Sequence, residues 1–80
     1  MTSQTAATLL RTPFVALATA RYRATVDAGK PMTRRFLCAL ATRLACAAHC
    51  YEAVGEMGRA QFCADRANEC RGRAADMRRV

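Results

Sequence analysis

The sequence contains no tryptophan, two tyrosines and three phenylalanines among its 80 residues, so large side chains for a hydrophobic core are few. Apolar residues make up 52% of the chain, but many of them are alanines, which remove little surface from water when they are buried. A chain of this length forms one domain, and we expect residues 1–80 to fold as a single unit with a thin core. A homodimer, a bound metal or a protein partner would each stabilise such a core.

Long apolar runs and strand patterns are also missing. No run approaches the roughly 20 apolar residues that a membrane-spanning helix needs, so we expect no membrane span. The β-branched residues are scattered and never alternate with polar residues over the length of a strand, which argues against a β-sheet. Five cysteines, an odd number at helical spacings, do not fit the disulfide framework of a secreted protein. These absences favour an all-α, cytoplasmic protein with reduced thiols.

Glycine and proline divide the chain into helical segments. Thr12 and Pro13 predict the start of a first helix, because threonine is a good N-cap and proline fits the first helical turn. This helix should run to about Ala28, where Gly29 favours termination. Residues 1–11 are expected to be a loose N-terminus or to add a short extra helix.

Two further helices are predicted after this break. One starts near Thr33 and ends at Gly55, with apolar residues recurring every three or four positions. Its apolar face consists of Phe36, Leu40, Leu44, Ala47, Tyr51 and Val54. The other runs from about Arg59 to Arg78, with an equally regular apolar face. That face consists of Ala60, Cys63, Ala67, Cys70, Ala74 and Met77. The sequence thus predicts a small three-helix bundle in which helices 2 and 3 form an antiparallel hairpin.

Four of the five cysteines lie on the predicted hairpin, where they could converge between the two helices. They are Cys46, Cys50, Cys63 and Cys70. Thiolate sulfur binds soft or borderline ions such as Cu(I) and Zn(II), so a copper or zinc site is one interpretation. The other, which we favour, is that these cysteines act as small buried residues that fill the space between the helices. Cys38 lies on the opposite side of its helix and is expected at the surface or at an interface.

The segments CAAHCYE (residues 46–52) and CADRANECRGRAADM (residues 63–77) resemble the cysteine-rich, four-helix copper-storage proteins. The last helix of that family typically reads Cys-Ala-Glu-x-Cys-x-x-Cys-x-x-x-Cys-x-x-Met. The matching residues are Cys63, Cys70 and Met77, and alanine replaces cysteine at Ala67 and Ala74. The resemblance implies helices that carry Cu(I) on inward-facing thiols, with far fewer thiols than the family has.

The same region resembles a single helix pair of tetratricopeptide type. The residues at the spacing of that repeat are Ala48, Tyr51, Gly55, Ala60, Ala64 and Ala67, and Met57 replaces its usual aromatic residue. Small side chains let two helices approach closely, and glycine fits the turn between them. Because about three repeats are needed for a stable solenoid, this resemblance implies a tight helix hairpin and not a repeat array.

The charge of the chain is positive and unevenly distributed. Thirteen Lys and Arg oppose six Asp and Glu, which gives a formal net charge of +7. Residues 1–35 carry six basic groups and one acid, whereas the remainder carries seven basic groups and five acids. This imbalance favours an acidic partner. The predicted basic binding patch consists of Arg21, Arg23, Lys30, Arg34 and Arg35. Phe62, flanked by Arg66 and Arg73, is a second predicted protein contact, because an exposed aromatic residue among arginines is typical of interfaces.

No arrangement of residues in the sequence points to catalysis. His49 directly precedes Cys50, and neighbouring residues on a helix do not face each other, which is the wrong geometry for a Cys–His pair. We therefore predict a non-enzymatic interaction protein without a cofactor, of bacterial or phage type, that docks a basic surface on an acidic protein as an adaptor, chaperone subunit or inhibitor. The alternatives are copper or zinc binding through the cysteines, and nucleic-acid binding, for which no recognised motif is present.

Overall fold

The computed structural model describes residues 2–29 and 32–77, with the side chains of all of these except Thr19 and Asp27. Every regular element in these two ranges is a helix, which confirms the all-α prediction. The helices are α1 (Ser3–Leu10), α2 (Pro13–Ala16), α3 (Ala18–Asp27), α4 (Arg34–Ala53) and α5 (Met57–Asp76). Because α2 is a single turn, the described part contains four helices of eight or more residues, and the predicted number of three is too low.

The first helix, α1, packs along α4. It begins after Thr2, whose hydroxyl oxygen accepts a hydrogen bond from the Thr5 N–H at 3.1 Å. Ala6 is fully buried, and the Ser3 hydroxyl donates to the carbonyl oxygen of Ala53, the last residue of α4, at 3.0 Å. The segment for which the sequence allowed a loose terminus or a short extra helix is therefore a helix that lies against the end of α4.

The helix predicted over residues 12–28 is interrupted at Leu17. Leu17 supplies no side-chain cap, and its N–H lies 3.4 Å from the Pro13 carbonyl oxygen, which is long for a helical hydrogen bond. Val15 and Ala18 are both buried, but they pack into different parts of the core. Residues three apart on one regular helix would share a face. The helix is interrupted because its two halves are buried in different places.

The remaining helix ends follow the predicted signals closely. Gly29 follows α3 with φ at +64°, a left-handed conformation that glycine adopts without steric cost. Thr33 caps α4, since its hydroxyl oxygen accepts a hydrogen bond from the Phe36 N–H at 3.1 Å. The last helix, α5, begins at Met57, two residues before the predicted start at Arg59.

A glycine turn joins α4 to α5. The Gly55 N–H donates to the Glu52 carbonyl oxygen at 3.1 Å, and the Glu56 N–H donates to the Tyr51 carbonyl oxygen at 2.9 Å. These two bonds form a Schellman motif, which satisfies carbonyl groups at the end of the helix. The motif requires a left-handed residue, and Gly55 has φ at +84°. A turn this short places α5 directly beside α4.

The two long helices run antiparallel and form the most extensive contact in the molecule. Leu37, near the start of α4, packs in one cluster with Ala74, near the end of α5. Conversely, Ala47, towards the end of α4, packs with Cys63, near the start of α5. The buried side chains of α5 are all alanine or cysteine, whereas α4 contributes the larger leucine side chains to the contact.

Two clusters of buried residues make up the core. The main core lies between α3, α4 and α5 and consists of Ala18, Tyr22, Leu37, Leu40, Ala41, Leu44, Ala67, Cys70 and Ala74. The minor core consists of Val15, Ala47 and Cys63, with Leu10, Cys46, Ala48, Tyr51 and Phe62 packed partly buried against it. On α5 the predicted apolar face is buried from Ala60 to Ala74, but Met77 is 41% exposed and lies beyond the core.

The buried face of α4 is rotated relative to the predicted one. Leu37 and Cys50 are fully buried, although the sequence placed neither on the apolar face. Phe36, Tyr51 and Val54, which were assigned to that face, are only half-buried. The reason is that α4 contacts α5 on one side and α1 to α3 on another, so its buried surface is set by all of these neighbours.

Candidate interaction surface

Three ion pairs form in the described part of the chain, and all of them use α5 or the residue just before it. The pairs are Arg59 Nε to Glu56 Oε2 at 3.5 Å, Arg66 Nε to Glu69 Oε2 at 3.1 Å, and Arg73 Nη2 to Glu69 Oε1 at 3.2 Å. The Arg66 Nε–H is not aligned with the carboxylate, so that contact is an ion pair without a well-formed hydrogen bond. Through these pairs α5 balances much of its own positive charge.

The arginines of α3 and α4 differ in this respect. Three of them, which we call the arginine face, are Arg21, Arg35 and Arg43. Arg43 is half-buried and the other two are exposed. Among the side chains that the structure describes, which do not include that of Asp27, none of the three has a carboxylate within 4.0 Å. Within the described side chains, the positive charge of this surface is therefore not balanced by an ion pair.

Arg21 and Arg43 lie close together although they belong to different helices. With Phe36 and Leu40 they line a surface hollow of about 70 Å³ between α3 and α4. Arg35 precedes Arg43 by eight residues, which is a little more than two turns, so it lies roughly 80° around α4 from Arg43. The packing of α3 on α4 thus brings Arg21 and Arg43, which are far apart in the sequence, onto one surface.

The first turn of α4 adds to the positive potential of the arginine face. Arg34 and Arg35 occupy this turn, and it contains no acidic residue. The N-terminal end of a helix carries a partial positive charge from its aligned peptide dipoles, so cations there are unfavourable and anions are attracted. An acidic group of another molecule would relieve this repulsion.

The predicted basic patch is only partly one surface. Arg21 and Arg35 belong to the arginine face, Arg34 lies roughly 180° around α4 from Arg43, and the Arg23 guanidinium lies over the ring of Phe62. Lys30, also predicted for the patch, lies outside the described residues. Sequence reasoning missed Arg43. Two features of the sequence could have indicated Arg43. It follows Arg35 by eight residues, and no acid occurs on α4 before Glu52.

Phe62 is half-buried and lies between two arginines. The guanidinium carbon of Arg23 is 5.5 Å from the ring centroid, and that of Arg66 is 5.4 Å from it. Both distances fall within cation–π range. Arg73, which the sequence grouped with Phe62, pairs with Glu69 instead. The ring packs partly against the minor core, so Phe62 is a contact within the molecule as well as a surface residue.

Tyr22 has an intramolecular role. An aromatic ring among the arginines of α3 could stack on a nucleic-acid base if it were exposed, but the Tyr22 side chain is only 7% exposed and belongs to the main core. Its hydroxyl donates a hydrogen bond to the Glu69 carboxylate, and burial together with this carboxylate raises the pKa of Tyr22 above 10.0. A buried ring is not available for base stacking.

The cysteines of the predicted metal site are divided between different parts of the core. Cys63 lies in the minor core with Cys46 packed against it, whereas Cys70 lies in the main core. Cys50 is fully buried and Cys46 half-buried; Cys38 is exposed, as expected. Within the described ranges, no group of three or more His, Cys, Asp or Glu side chains is placed to share a metal ion. The structure does not bring the four predicted ligands together.

The buried positions of Cys50 and Cys70 favour the protonated thiol. Burial raises the pKa of the Cys50 thiol, and the neighbouring Cys46 raises it further. Burial also raises the pKa of Cys70, with an added contribution from Glu69 that Arg73 and Arg66 partly offset. Metal ligation and nucleophilic attack both require the thiolate, which a raised pKa disfavours. A buried, protonated cysteine packs as a small apolar side chain, which is the interpretation that the sequence favoured.

Within residues 2–29 and 32–77, none of the helices has both the length and the apolar character needed to cross a membrane. No protein-family model, curated protein or solved structure matches the chain. The resemblances to copper-storage proteins and to a tetratricopeptide helix pair therefore stay predictions, and function has to be argued from the surface itself.

Proposed function

We propose that the protein is a small, non-enzymatic helical bundle that docks the arginine face on an acidic protein partner. One observation carries the proposal: the three ion pairs of the described residues all lie on α5 and Glu56, while the three arginines of the arginine face have no carboxylate within 4.0 Å among the described side chains. The charge is thus neutralised on one side of the molecule and left available on another.

The unpaired arginines orient an acidic partner as it approaches the protein. At physiological ionic strength the screening length is about 8 Å, so a cluster of unpaired arginines attracts acidic groups over short range more strongly than isolated charges do. Guanidinium groups then pair with carboxylates through two hydrogen bonds, which fixes the bound geometry. The first turn of α4 supports the same preference through its helix dipole.

A protein partner is favoured over a nucleic acid by the apolar residues beside the arginines. Phe14 is 47% exposed and Leu17 is 43% exposed on the α2–α3 segment, and Arg43 lies over the Phe14 ring. Interfaces between proteins combine arginine, aromatic and aliphatic side chains at their centres. Nucleic-acid surfaces use aromatic rings for stacking but gain little from an exposed leucine.

The proposal is tested by capture of partners from a lysate of the source cells, with and without nuclease treatment, using two charge-matched double variants. Arg21→Glu with Arg35→Glu reverses the arginine face, whereas Arg11→Glu with Arg71→Glu reverses two exposed arginines elsewhere. We expect wild type and the second variant to retain the same partner, and the first variant to lose it. Equal retention by both variants would refute the arginine face as the docking surface. Loss of the bound species on nuclease treatment would assign the surface to nucleic acid.

A further inference from the structure

A groove separate from the arginine face opens over the hairpin between α2, α4 and α5. Its volume is about 490 Å³. The lining residues are Val15, Ala16, Arg23, Ala47, Tyr51, Gly58, Arg59, Phe62 and Cys63. Small-molecule sites in proteins commonly have volumes of about 300–1,000 Å³ and often lie between helices. The groove is therefore large enough for a small organic ligand.

The lining combines an apolar floor with aromatic walls. Val15, Ala47 and Cys63 are each at most 3% exposed and form the buried part of the lining. Tyr51 and Phe62 are half-buried beside them, each with one face near an arginine. An apolar molecule in this groove would be removed from water on several sides, which is favourable in proportion to the apolar area buried.

Two arginines give the groove its charge. The Arg23 guanidinium is held 5.5 Å from the centroid of Phe62, and the Arg59 guanidinium 5.9 Å from that of Tyr51. None of the described residues that line the groove is acidic. Arg59 pairs with Glu56 at 3.5 Å, but both side chains are at least half exposed, so this ion pair is weak and easily exchanged.

The first turn of α5 also favours negative charge in the groove. Gly58 lies in that turn and lines the groove, and the N-cap residue Glu56 makes no side-chain hydrogen bond to the turn. The peptide N–H groups of a first helical turn have no intrahelical partner and attract negative charge. Together with the two arginines, this end of the groove favours an anion.

We propose that this groove binds an amphipathic carboxylate, a molecule with an apolar aliphatic body and one carboxylate group. The body occupies the floor formed by Val15, Ala47 and Cys63, and the carboxylate pairs with Arg23 and Arg59. The inference is independent of the arginine face, because no residue is shared between the two surfaces.

A second groove, on another face of the hairpin, provides an internal comparison. Its volume is about 250 Å³, and its lining includes Ala48 and Ala64 together with Glu52 and Arg71. An acid and a base both line this groove, so it has no preference for an anion. Ligand-induced changes at Ala48 and Ala64 would report binding there instead of at the proposed site.

The experiment is a titration of the full chain with dodecanoate, kept below its micellar concentration, by calorimetry and by NMR. Dodecanol is the matched uncharged probe. We expect one dodecanoate per chain, chemical-shift changes centred on Ala47, Gly58 and Cys63, and at least tenfold weaker binding of dodecanol. Changes centred on Ala48 and Ala64, or equal affinity for the two probes, would overturn the proposal.

Two glycine variants test the location. A Cβ built at Gly58 or at Gly72 meets no atom within 4 Å, so a side chain can begin at either position of α5 without a clash at its Cβ, and leucine is the better helix former. We expect Gly58→Leu to fill the groove and weaken dodecanoate binding at least tenfold, and Gly72→Leu to bind as wild type does. Unchanged binding by Gly58→Leu would contradict the site.

A third variant tests the site without changing Gly58, so its result does not depend on whether the Gly58→Leu variant folds. Arg23→Gln alters an exposed side chain and is expected to weaken dodecanoate binding at least fivefold while leaving dodecanol binding unchanged. Equal weakening of both probes, or of neither, would remove Arg23 from the site and with it the proposed role of the carboxylate.

Discussion

The guanidinium of Arg43 stacks on the ring of Phe14, with its central carbon 4.7 Å from the ring centroid. Phe14 belongs to the single-turn helix α2, and Arg43 lies in the middle of α4. The contact joins an exposed aromatic residue to an arginine that has no carboxylate within 4.0 Å among the described side chains. It therefore both attaches α2 to α4 and holds one cation of the arginine face in place.

This stacking predicts a measurable coupling between the two residues. Phe14→Leu, Arg43→Gln and the double variant form a double-mutant cycle, read from urea denaturation at low ionic strength. We expect a coupling of about 0.5–1 kcal/mol, the usual value for a partly exposed cation–π pair. Effects of the two single variants that simply add would show that the ring and the guanidinium do not interact in solution.

The Tyr22–Glu69 contact predicts a change in tyrosine ionisation. Burial is the larger cause of the raised pKa of Tyr22, and the Glu69 carboxylate raises it further. In a Tyr51→Phe background, Glu69→Gln should lower the pKa of Tyr22 while leaving it above 10.0, because burial remains. Ultraviolet absorbance during an alkaline titration reports tyrosinate directly. Glu52→Gln, an exposed site on α4, is the control and should leave the titration unchanged.

The buried thiols predict a loss of stability at alkaline pH. The folded protein keeps Cys50 and Cys70 protonated above their ordinary pKa of 9.0, whereas the unfolded chain releases these protons near that value. The free energy of unfolding should therefore be fully retained below pH 9 and should fall as the pH rises towards the folded-state pKa values.

Urea denaturation under reducing conditions at a series of pH values measures this decline. The variant Cys70→Ala should show a shallower decline with pH than wild type, whatever its stability at neutral pH. Identical slopes for the two proteins would mean that Cys70 is not held in the protonated form by burial.

The N-cap of α4 predicts a local contribution to stability. Thr33→Ala removes the acceptor for the Phe36 N–H and should cost roughly 0.5–2 kcal/mol in the free energy of unfolding. Thr42→Ala is the matched control, because Thr42 is exposed in the interior of the same helix, where alanine is the better helix former. Denaturation of both variants should show Thr33→Ala less stable and Thr42→Ala equal to or more stable than wild type.

The candidate surface was only partly readable from the sequence. The excess of arginine before residue 36 marked Arg21, Arg34 and Arg35 as candidates for a basic surface, because net charge is a property of composition. The position of Arg43 beside Arg21 could not be predicted from the sequence, because it depends on how α3 lies against α4. Arg23 shows the same limit: it is two residues from Arg21 in sequence, yet it faces Phe62 on α5.

The metal hypothesis stays a prediction, and spacing alone does not place its four thiols. Cys46, Cys50, Cys63 and Cys70 have the helical intervals of a converging set, but the depth of each thiol depends on the rotation of both helices about their own axes. The helices α1 to α3 also contact α4, and Cys50 is fully buried. No local pattern in the hairpin sequence contains this information.

The sequence by itself determined the helical class, the glycine stops at Gly29 and Gly55, the Thr33 cap and the apolar face of α5 from Ala60 to Ala74. These features depend on backbone preference and on periodicity, which act over a few neighbouring residues. Only the tertiary structure decided the break at Leu17, the buried face of α4 and the grouping of arginines into one surface. These depend on contacts between residues far apart in the chain, where burial of one side chain is settled by the helices packed around it.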